Sequence, residues 1–379
     1  MPPEYHGGVH PTIPHVCVVG GGIFGVAGAL ELARRGRRVT LFEAGPIPHP
    51  LAESTDVSKA VRMDYGADDF YTSEMERALE LWRDDPFFHE SGTMFVSRAP
   101  MAPGGFEHDS FETLRARGHA LERLDERAIA ARSPLRGYVG GYFNPRGGWA
   151  ESGRVVERLA GLARDAGVTI VTDARVTRVD RGVVLASGER VASDAVVVAA
   201  GGWVPALVPE IAACFRTVAQ PVFHLAAPDD VRLPVFGADI ARTGWYGFPR
   251  HPSGFVKIAS HGPGRAMPPD SPDRVVTDDD RTRLRDFLRE SLPALAAAPI
   301  LATRACVYCD TRDEHFWIAP LPDAPNVVVA TGGSGHAFKF APLVGGWIAR
   351  ALEGDVVPRF RHRPEIGTRG EERARHRDQ

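Results

Sequence analysis

The stretch HVCVVGGGIFGVAGALELARRGRRVTLFE, residues 15–43, decides the fold. His15 to Val19 is a short apolar run suited to a buried strand, and the glycines from Gly20 turn the chain directly into a helix. Val26, Leu30 and Ala33 recur at helical spacing on one face of that helix. It is expected to end near Gly36, with Arg38 to Glu43 as a second strand, which completes a βαβ unit. Gly20, Gly22 and Gly25 form G-x-G-x-x-G between strand and helix, the context that gives this motif meaning. Gly20 permits the tight turn, Gly22 lets backbone N–H groups approach a pyrophosphate, and Gly25 lets helix and strand pack closely. The helix N-terminus adds partial positive charge where phosphates would sit. Glu43 ends the second strand, where a carboxylate can accept from a ribose diol and would repel a 2′-phosphate. An ordinary glycine turn is the bland alternative. The signature specifies a dinucleotide without separating NAD from FAD.

Two later segments make that separation. DAVVVAAGGW, residues 194–203, reads as the strand-to-glycine element that follows a strand meander in two-domain flavoproteins. NVVVATGGSGHAFKFAP, residues 326–342, reads as their closing strand, loop and helix. Reduced flavin is anionic around N1 and the C2 carbonyl, and a glycine-rich loop entering a helix offers N–H donors there. Pro342 suits the first turn of this last helix and Gly354 its C-terminal cap.

Between these landmarks a helix is expected from about Thr72 to Trp82 and another around Gly153 to Ala166. The segments VTIV, RVTRVD, VVLAS and RVAS then read as a meander leading to residue 194. Residues 86–148 mix short strands with Pro/Gly turns. Residues 221–311 carry further strands around a helix at 279–292. Residues 1–14 read as a loose leader and the charged tail after Val357 as frayed.

Composition bounds the function. The 379 residues exceed one ordinary core and suit two domains. Charged residues make up 25% and the formal charge is −3, which favours neither nucleic acid nor an anionic membrane as partner. The uncharged run Val16–Leu30 is too short for a membrane span and rich in glycine. No basic region precedes an apolar run as in a secretory signal. Four cysteines are no disulfide framework, and a cytoplasmic setting is expected. Only three of the 45 basic residues are lysines: Lys59, Lys257 and Lys339. Arg has replaced Lys elsewhere, so a surviving lysine either remains by chance or stands where a planar, permanently charged guanidinium cannot.

Five motifs in order carry a family resemblance: DVSKAVRMDYG (Asp56–Gly66), WYGFP (Trp245–Pro249), GFVKIASH (Gly254–His261), CVYCDTRDEHF (Cys306–Phe316) and GGSGHAFKF (Gly332–Phe340). From about His15 to Arg359 the chain resembles the sarcosine oxidase branch of the D-amino-acid-oxidase-like flavoproteins, beside pipecolate, saccharopine and fructosyl amino acid oxidases and a nikkomycin-biosynthesis imine oxidase. The resemblance implies a Rossmann-type α/β FAD-binding domain from residues 12–85, 148–217 and 312–362. A discontinuous α+β substrate-binding domain built on an antiparallel sheet would take residues 86–147 and 218–311, leaving 363–379 as a flexible tail.

The resemblance also assigns roles. Cys306 matches a cysteine that tethers the flavin through a thioether to its 8α-methyl, a reaction nearby positive charge would help. Half of a zinc site and a redox pair are the alternatives for Cys306-x-x-Cys309. No second pair lies at zinc spacing and no thioredoxin-like unit surrounds the motif, so no metal is expected. Cys309 is expected to be a bystander. Lys257 matches a lysine that activates dioxygen beside the flavin. Lys339 and Arg62 match residues that bind the substrate carboxylate, Arg62 being the better clamp because a guanidinium can grip through two parallel bonds. A surface ion pair of Arg62 with Asp64 or Asp68 is its alternative. Lys59 stands where sarcosine oxidase itself has an arginine against the flavin, a departure resembling the pipecolate and fructosyl branches. Tyr246, Tyr308, His261 and His336 match pocket positions; as core aromatics or hydrogen-bonded histidines they would look the same in sequence. Val176, Gly332, Gly333 and Gly335 complete the expected cofactor-binding set.

The implied activity is oxidation of a secondary, cyclic or N-substituted amino acid to an imine, with dioxygen returning the flavin to its oxidised state and leaving as hydrogen peroxide. The expected partners are a small amino-acid-like substrate and dioxygen, and the expected state is a monomer. A flavin dehydrogenase using another acceptor, or an FAD-bearing subunit of a larger complex, are the competing readings.

Overall fold

The computed structural model describes residues 14–368, so the expected leader, apart from Pro14, and the tail beyond 368 lie outside the described residues. A six-stranded sheet runs in the order Trp317–Leu321, Ala324–Thr331, Ala195–Val198, His15–Val19, Arg38–Phe42, Thr169–Val171. Its pairings are parallel except at the Trp317–Leu321 edge. The first strand is buried at every position, as a strand with helices on both faces must be. The glycine helix Ile23–Arg34 packs between helices Ser152–Asp165 and Ala341–Leu352. Gly345 permits the closest of these contacts, since a Cβ there would meet the Ala27 carbonyl at 2.4 Å. Because neighbours press from several sides, burial exceeds the single face expected; Val26 and Leu30 are buried while Ala33 is only partly so.

One expectation about the meander is corrected. VTIV and AVVVAA belong to the parallel sheet, and only Val176–Asp180, Gly182–Leu185 and Arg190–Ala192 form the antiparallel three-stranded meander. A short apolar run carries no mark of which sheet it joins.

The second sheet is a larger structure containing Phe215–Ala226, Phe255–Ser260, Trp245–Gly247, Val235–Ala238, Thr93–Ser97, Gly140–Asn144 and Ile300–Thr311. It is antiparallel apart from the parallel pair Thr93–Ser97 with Val235–Ala238. Residues 86–148, hard to read in sequence, contribute two helices, Phe106–Ala116 and Glu126–Arg132. Helix Asp278–Ser291 packs beneath this sheet through Leu284, Phe287 and Leu288, and is started by a capping box between Thr277 and Asp280. A small sheet pairs Gly148–Ala150 with Lys59–Val61 and with Phe88–His89.

The frayed tail after Val357 is also corrected for the described residues. Phe360 is fully buried, and Arg363, 2% exposed, pairs with Asp313 and donates to the Phe316 and His315 carbonyls. The charge that suggested a solvated tail instead anchors it. Among the described residues no helix is long and apolar enough to cross a membrane, and no cluster of three or more metal-ligating side chains occurs.

Candidate functional site

At the carboxyl end of the parallel sheet a cavity of about 330 Å³ opens beside the glycine turn. Gly20 has φ +104°, where a Cβ would strike the Ala199 carbonyl oxygen at 2.5 Å, and a Cβ on Gly25 would lie 1.8 Å from the Gly20 oxygen. Neither position accepts a larger residue without opening the strand–helix junction. Glu43 is more occupied than its sequence position suggests: its carboxylate accepts from Gly21 N at 2.5 Å and Ala44 N at 2.7 Å. It therefore holds the turn while still lining the cavity, and a carboxylate has lone pairs to spare for a diol. Ser54 Oγ accepts from Ile23 N at 2.9 Å and so caps the first turn of the helix. Sequence reasoning missed Ser54, because its loop has no periodic pattern.

The cavity runs from Gly20, Gly22, Glu43 and Val176 to Val307, Cys309, Gly333, Gly335 and Lys59. There it meets a second cavity of about 80 Å³, with Lys59, Gly335 and Phe338 belonging to both walls. Arg62, Lys339, Tyr246, Tyr308, His261 and His336 line this smaller space, with Phe95, Phe236 and Phe248 as apolar walls. Gly335 has φ +71°, and a Cβ there would meet the Tyr308 ring at 2.4 Å. The closing loop is thus pressed against the pocket's aromatic wall.

Arg62 is not in a surface ion pair. Its guanidinium donates to the Asp64 carbonyl and lies 5.4–5.7 Å from the Tyr65, Phe95 and Phe106 rings. Asp68 is taken by Arg359, and the buried Asp64 carboxyl accepts from Tyr142 Oη at 2.7 Å. Lys339 is 3% exposed and sits 4.5 Å above Tyr65. Burial first, and Arg62 second, hold its ammonium pKa well below the usual lysine value, with Asp64 opposing. Two crowded cations facing one small pocket call for an anionic guest. His336 has both ring nitrogens engaged, Nδ1 with Tyr65 Oη and Nε2 with the Glu314 carbonyl, each at 2.9 Å. Tyr246 Oη and Tyr308 Oη lie 3.5 Å apart.

Lys257 lines neither cavity. Its Nζ, 2% exposed, donates to Asp56 Oδ2 at 2.5 Å and to the Ser58 carbonyl at 2.6 Å. Burial lowers its pKa to about 8 even though Asp56 supports the charge. Burial alone would raise Asp56, but Lys257 and Lys59 outweigh it and hold the carboxyl well below the carboxylate range. Burial also works against the Lys59 ammonium, yet Cys306, Asp56, Tyr246 and Glu53 together lift it above the ordinary lysine value. Lys257 and Lys59 therefore share Asp56 as counter-charge, while Lys339 stands with Arg62 and Asp64 across the small cavity. Asp56 stands in a sequence motif without an assigned role; the need of the buried Lys257 ammonium for a counter-charge is the signal that points to it.

Cys306 is buried and absent from the cavity wall, while Val307 and Cys309 on the alternate positions of its strand belong to that wall. Lys59, Lys257 and Arg274 all lie close enough to interact with its side chain. The Cys309 thiol is pushed up to about 12 by burial and accepts from Thr331 Oγ1 at 3.5 Å. Gly332 likewise stands behind the wall, packed against Thr311. The remaining unpredicted residue is Glu53. It lines the large cavity, accepts from Cys309 N at 3.4 Å, and is raised to about 7 by burial, with Lys59 opposing and Asp310 reinforcing the shift.

Comparison with known proteins shows the family. The family described as FAD dependent oxidoreductase matches residues 15–351. N-methyl-L-tryptophan oxidase of Salmonella arizonae is 30% identical over 353 residues, covering 86% of this chain and 91% of that protein. L-saccharopine oxidase of Schizosaccharomyces pombe is 28% identical over 90% of each chain. Monomeric sarcosine oxidase of a Bacillus species is 27% identical over 87% of this chain and 90% of its own. Among solved structures, the fructosyl amine:oxygen oxidoreductase Amadoriase I of Aspergillus fumigatus superposes with a TM-score of 0.80 at 24% identity, covering 94% and 91% of the two chains. That likeness concerns the fold.

Proposed function

The chain belongs to the FAD-dependent oxidoreductase family, and from that premise we propose that it oxidises a secondary, cyclic or N-substituted amino acid to an imine, with dioxygen as final acceptor and hydrogen peroxide as product. The observation that carries this reading is the meeting of two cavities, one running from the glycine turn to the closing loop and one small, aromatic and lined by two basic side chains.

The residues present fit FAD. Gly20, Gly22 and the first turn of helix Ile23–Arg34 would hold the pyrophosphate, Glu43 the ribose, and Val176 the neighbouring wall. Gly333 and Gly335, where a Cβ would crowd Ala337 and Tyr308, leave room for a flat group against the closing loop. Cys306, next in the chain to Val307 of the wall, would tether it through a thioether on turning its side chain to the cavity. Bound FAD supplies a two-electron acceptor able to take a hydride from a C–H beside nitrogen and to deliver the electrons to dioxygen.

The protein's own part is binding and charge placement. Arg62 and Lys339 hold the substrate carboxylate and so aim the amine-bearing carbon towards the Lys59–Gly335 junction. Tyr246 and Tyr308 orient the amine, which must be neutral so that its lone pair assists hydride departure. Phe95, Phe236 and Phe248 exclude water from that carbon. Lys257 is the buried cation that stabilises charge developing on dioxygen. As part of the same reading the enzyme works as a cytoplasmic monomer, in keeping with four free cysteines.

The test is a peroxide screen of N-methyl, cyclic and glycated amino acids. One of these classes should release peroxide with uptake of dioxygen, and Lys257→Met should slow reoxidation far more than substrate-driven reduction. Silence across all three classes would overturn the substrate reading, and equal loss in both half-reactions would remove the role given to Lys257.

A further inference from the structure

Lys257 has no route of its own to solvent. Its ammonium is enclosed by Asp56, the Ser58 carbonyl and the Phe248 ring, 4.5 Å away. His224 is its cross-strand partner, so both side chains project from the same face of the sheet. The His224 Nε2 lies 3.9 Å from Asp56 Oδ1, the carboxylate oxygen not bonded to Lys257. That nitrogen is buried and has no hydrogen-bond partner among the described residues. The imidazole as a whole is 17% exposed, against 2% for Asp56 and Lys257. It thus touches both the buried pair and the outside.

The ring is held in that attitude. His224 stacks on Phe255 at 4.6 Å and 21°, and Phe255 stacks in turn on His251 at 4.7 Å and 13°. A side-chain movement of about 1 Å brings Nε2 to hydrogen-bonding distance of Asp56. The charged groups facing His224 are Asp56 from the loop, Lys257 from the adjacent strand, His251 from the turn before it and Arg304 from strand Ile300–Thr311. Burial first, then Lys257, His251 and Arg304, lower its pKa, while Asp56 opposes. A neutral imidazole can accept a proton on one nitrogen while releasing one from the other.

We propose that His224 is the residue through which solvent protons reach Lys257, by way of Asp56, each time dioxygen is reduced. This rests on the assignment of Lys257 to the oxygen reaction. Dioxygen needs two electrons and two protons to leave as hydrogen peroxide. The reduced cofactor supplies both electrons and one proton; Lys257 gives the second and becomes a neutral amine. Asp56 passes a proton to that amine, takes one from His224 Nε2, and His224 is replenished from solvent at its other nitrogen. The oxidative half-reaction takes up one solvent proton, which balances the proton released when the iminium product of the reductive half becomes the imine. Asp56, strongly biased to the anion, is a momentary carrier and not a store.

The experiment mixes photoreduced holoenzyme with oxygenated buffer from pH 6 to 9 and follows return of the flavin absorbance. His224→Phe keeps the stacked ring, and His224→Gln keeps a polar group. Both should reoxidise about tenfold or more slowly, the loss growing as solvent protons become scarce, with free imidazole restoring part of the rate. Reoxidation of both variants at the wild-type rate across this range, or slowing that imidazole leaves untouched, would overturn the route. Lys257→Met separates the two claims. If it reoxidises normally, the assignment of Lys257 itself has failed; if it is slow while the His224 variants are not, only the proton route has.

Discussion

Lys257 and Asp56 form a buried ion pair in which the two side chains, each 2% exposed, come within 2.5 Å. The carboxylate also serves Lys59, a half-buried ammonium at the entrance to the substrate pocket, so one anion balances two cations there. An excess of positive charge there suits a site that must accept electrons. Removing the anion should be costly: Asp56→Asn leaves two ammonium groups without their counter-charge and should destabilise the fold by about 3–5 kcal/mol. Denaturant titration of the variant measures this, and a loss below about 1 kcal/mol would contradict the arrangement.

The two shifted groups should give opposite pH responses. Lys257 has a folded pKa near 8, below the usual lysine value, so the unfolded chain binds more protons between about pH 8 and 10.4. Its contribution to stability therefore rises with pH over that window, and Lys257→Met should flatten the rise. Glu53, raised to about 7, binds its proton more tightly when folded. Its contribution is present at low pH and is lost as pH climbs from about 4.3 to 7. Thermal midpoints of Glu53→Gln across that range should fall less with pH than those of the parent.

Arg62 and Lys339 reach one pocket from segments 277 positions apart, one from each end of the chain. Arg62→Lys keeps the charge but loses the planar fork. Its KM for an amino acid substrate should rise about tenfold or more, with a smaller change in kcat. Replacing the substrate carboxylate by an amide should produce a similar loss in the parent and little further loss in the variant.

Cys306 and Cys309 are distinguishable by one simple assay. Cys306→Ser should release its flavin on acid precipitation while Cys309→Ser retains it. Release from neither variant, or from both, would reassign the tether.

Much of this was legible in sequence where local rules suffice. Gly20, Gly25 and the run before them specify strand, turn and helix without help from distant residues, and Pro342 and Gly354 mark the closing helix in the same way. The misreadings came where partners are remote. VTIV joins the parallel sheet because Arg38–Phe42 is beside it in space, which no pattern within VTIV records. Glu53, Ser54 and His224 gained roles from residues that the fold brings to them: Cys309, Ile23 and Asp56. Arg363 looked like tail charge until Asp313 was placed beside it. The motif residues could be located by resemblance, but not the fact that Lys257 lies behind the cavity wall, paired with Asp56.

The central claim is tested most directly by anaerobic mixing of the holoenzyme with N-methyl, cyclic and glycated amino acids. An effective member should bleach the flavin absorbance without oxygen, and admitting air should restore it with one hydrogen peroxide formed per flavin. Bleaching by none of these amines, or restoration that requires another electron acceptor, would contradict the account.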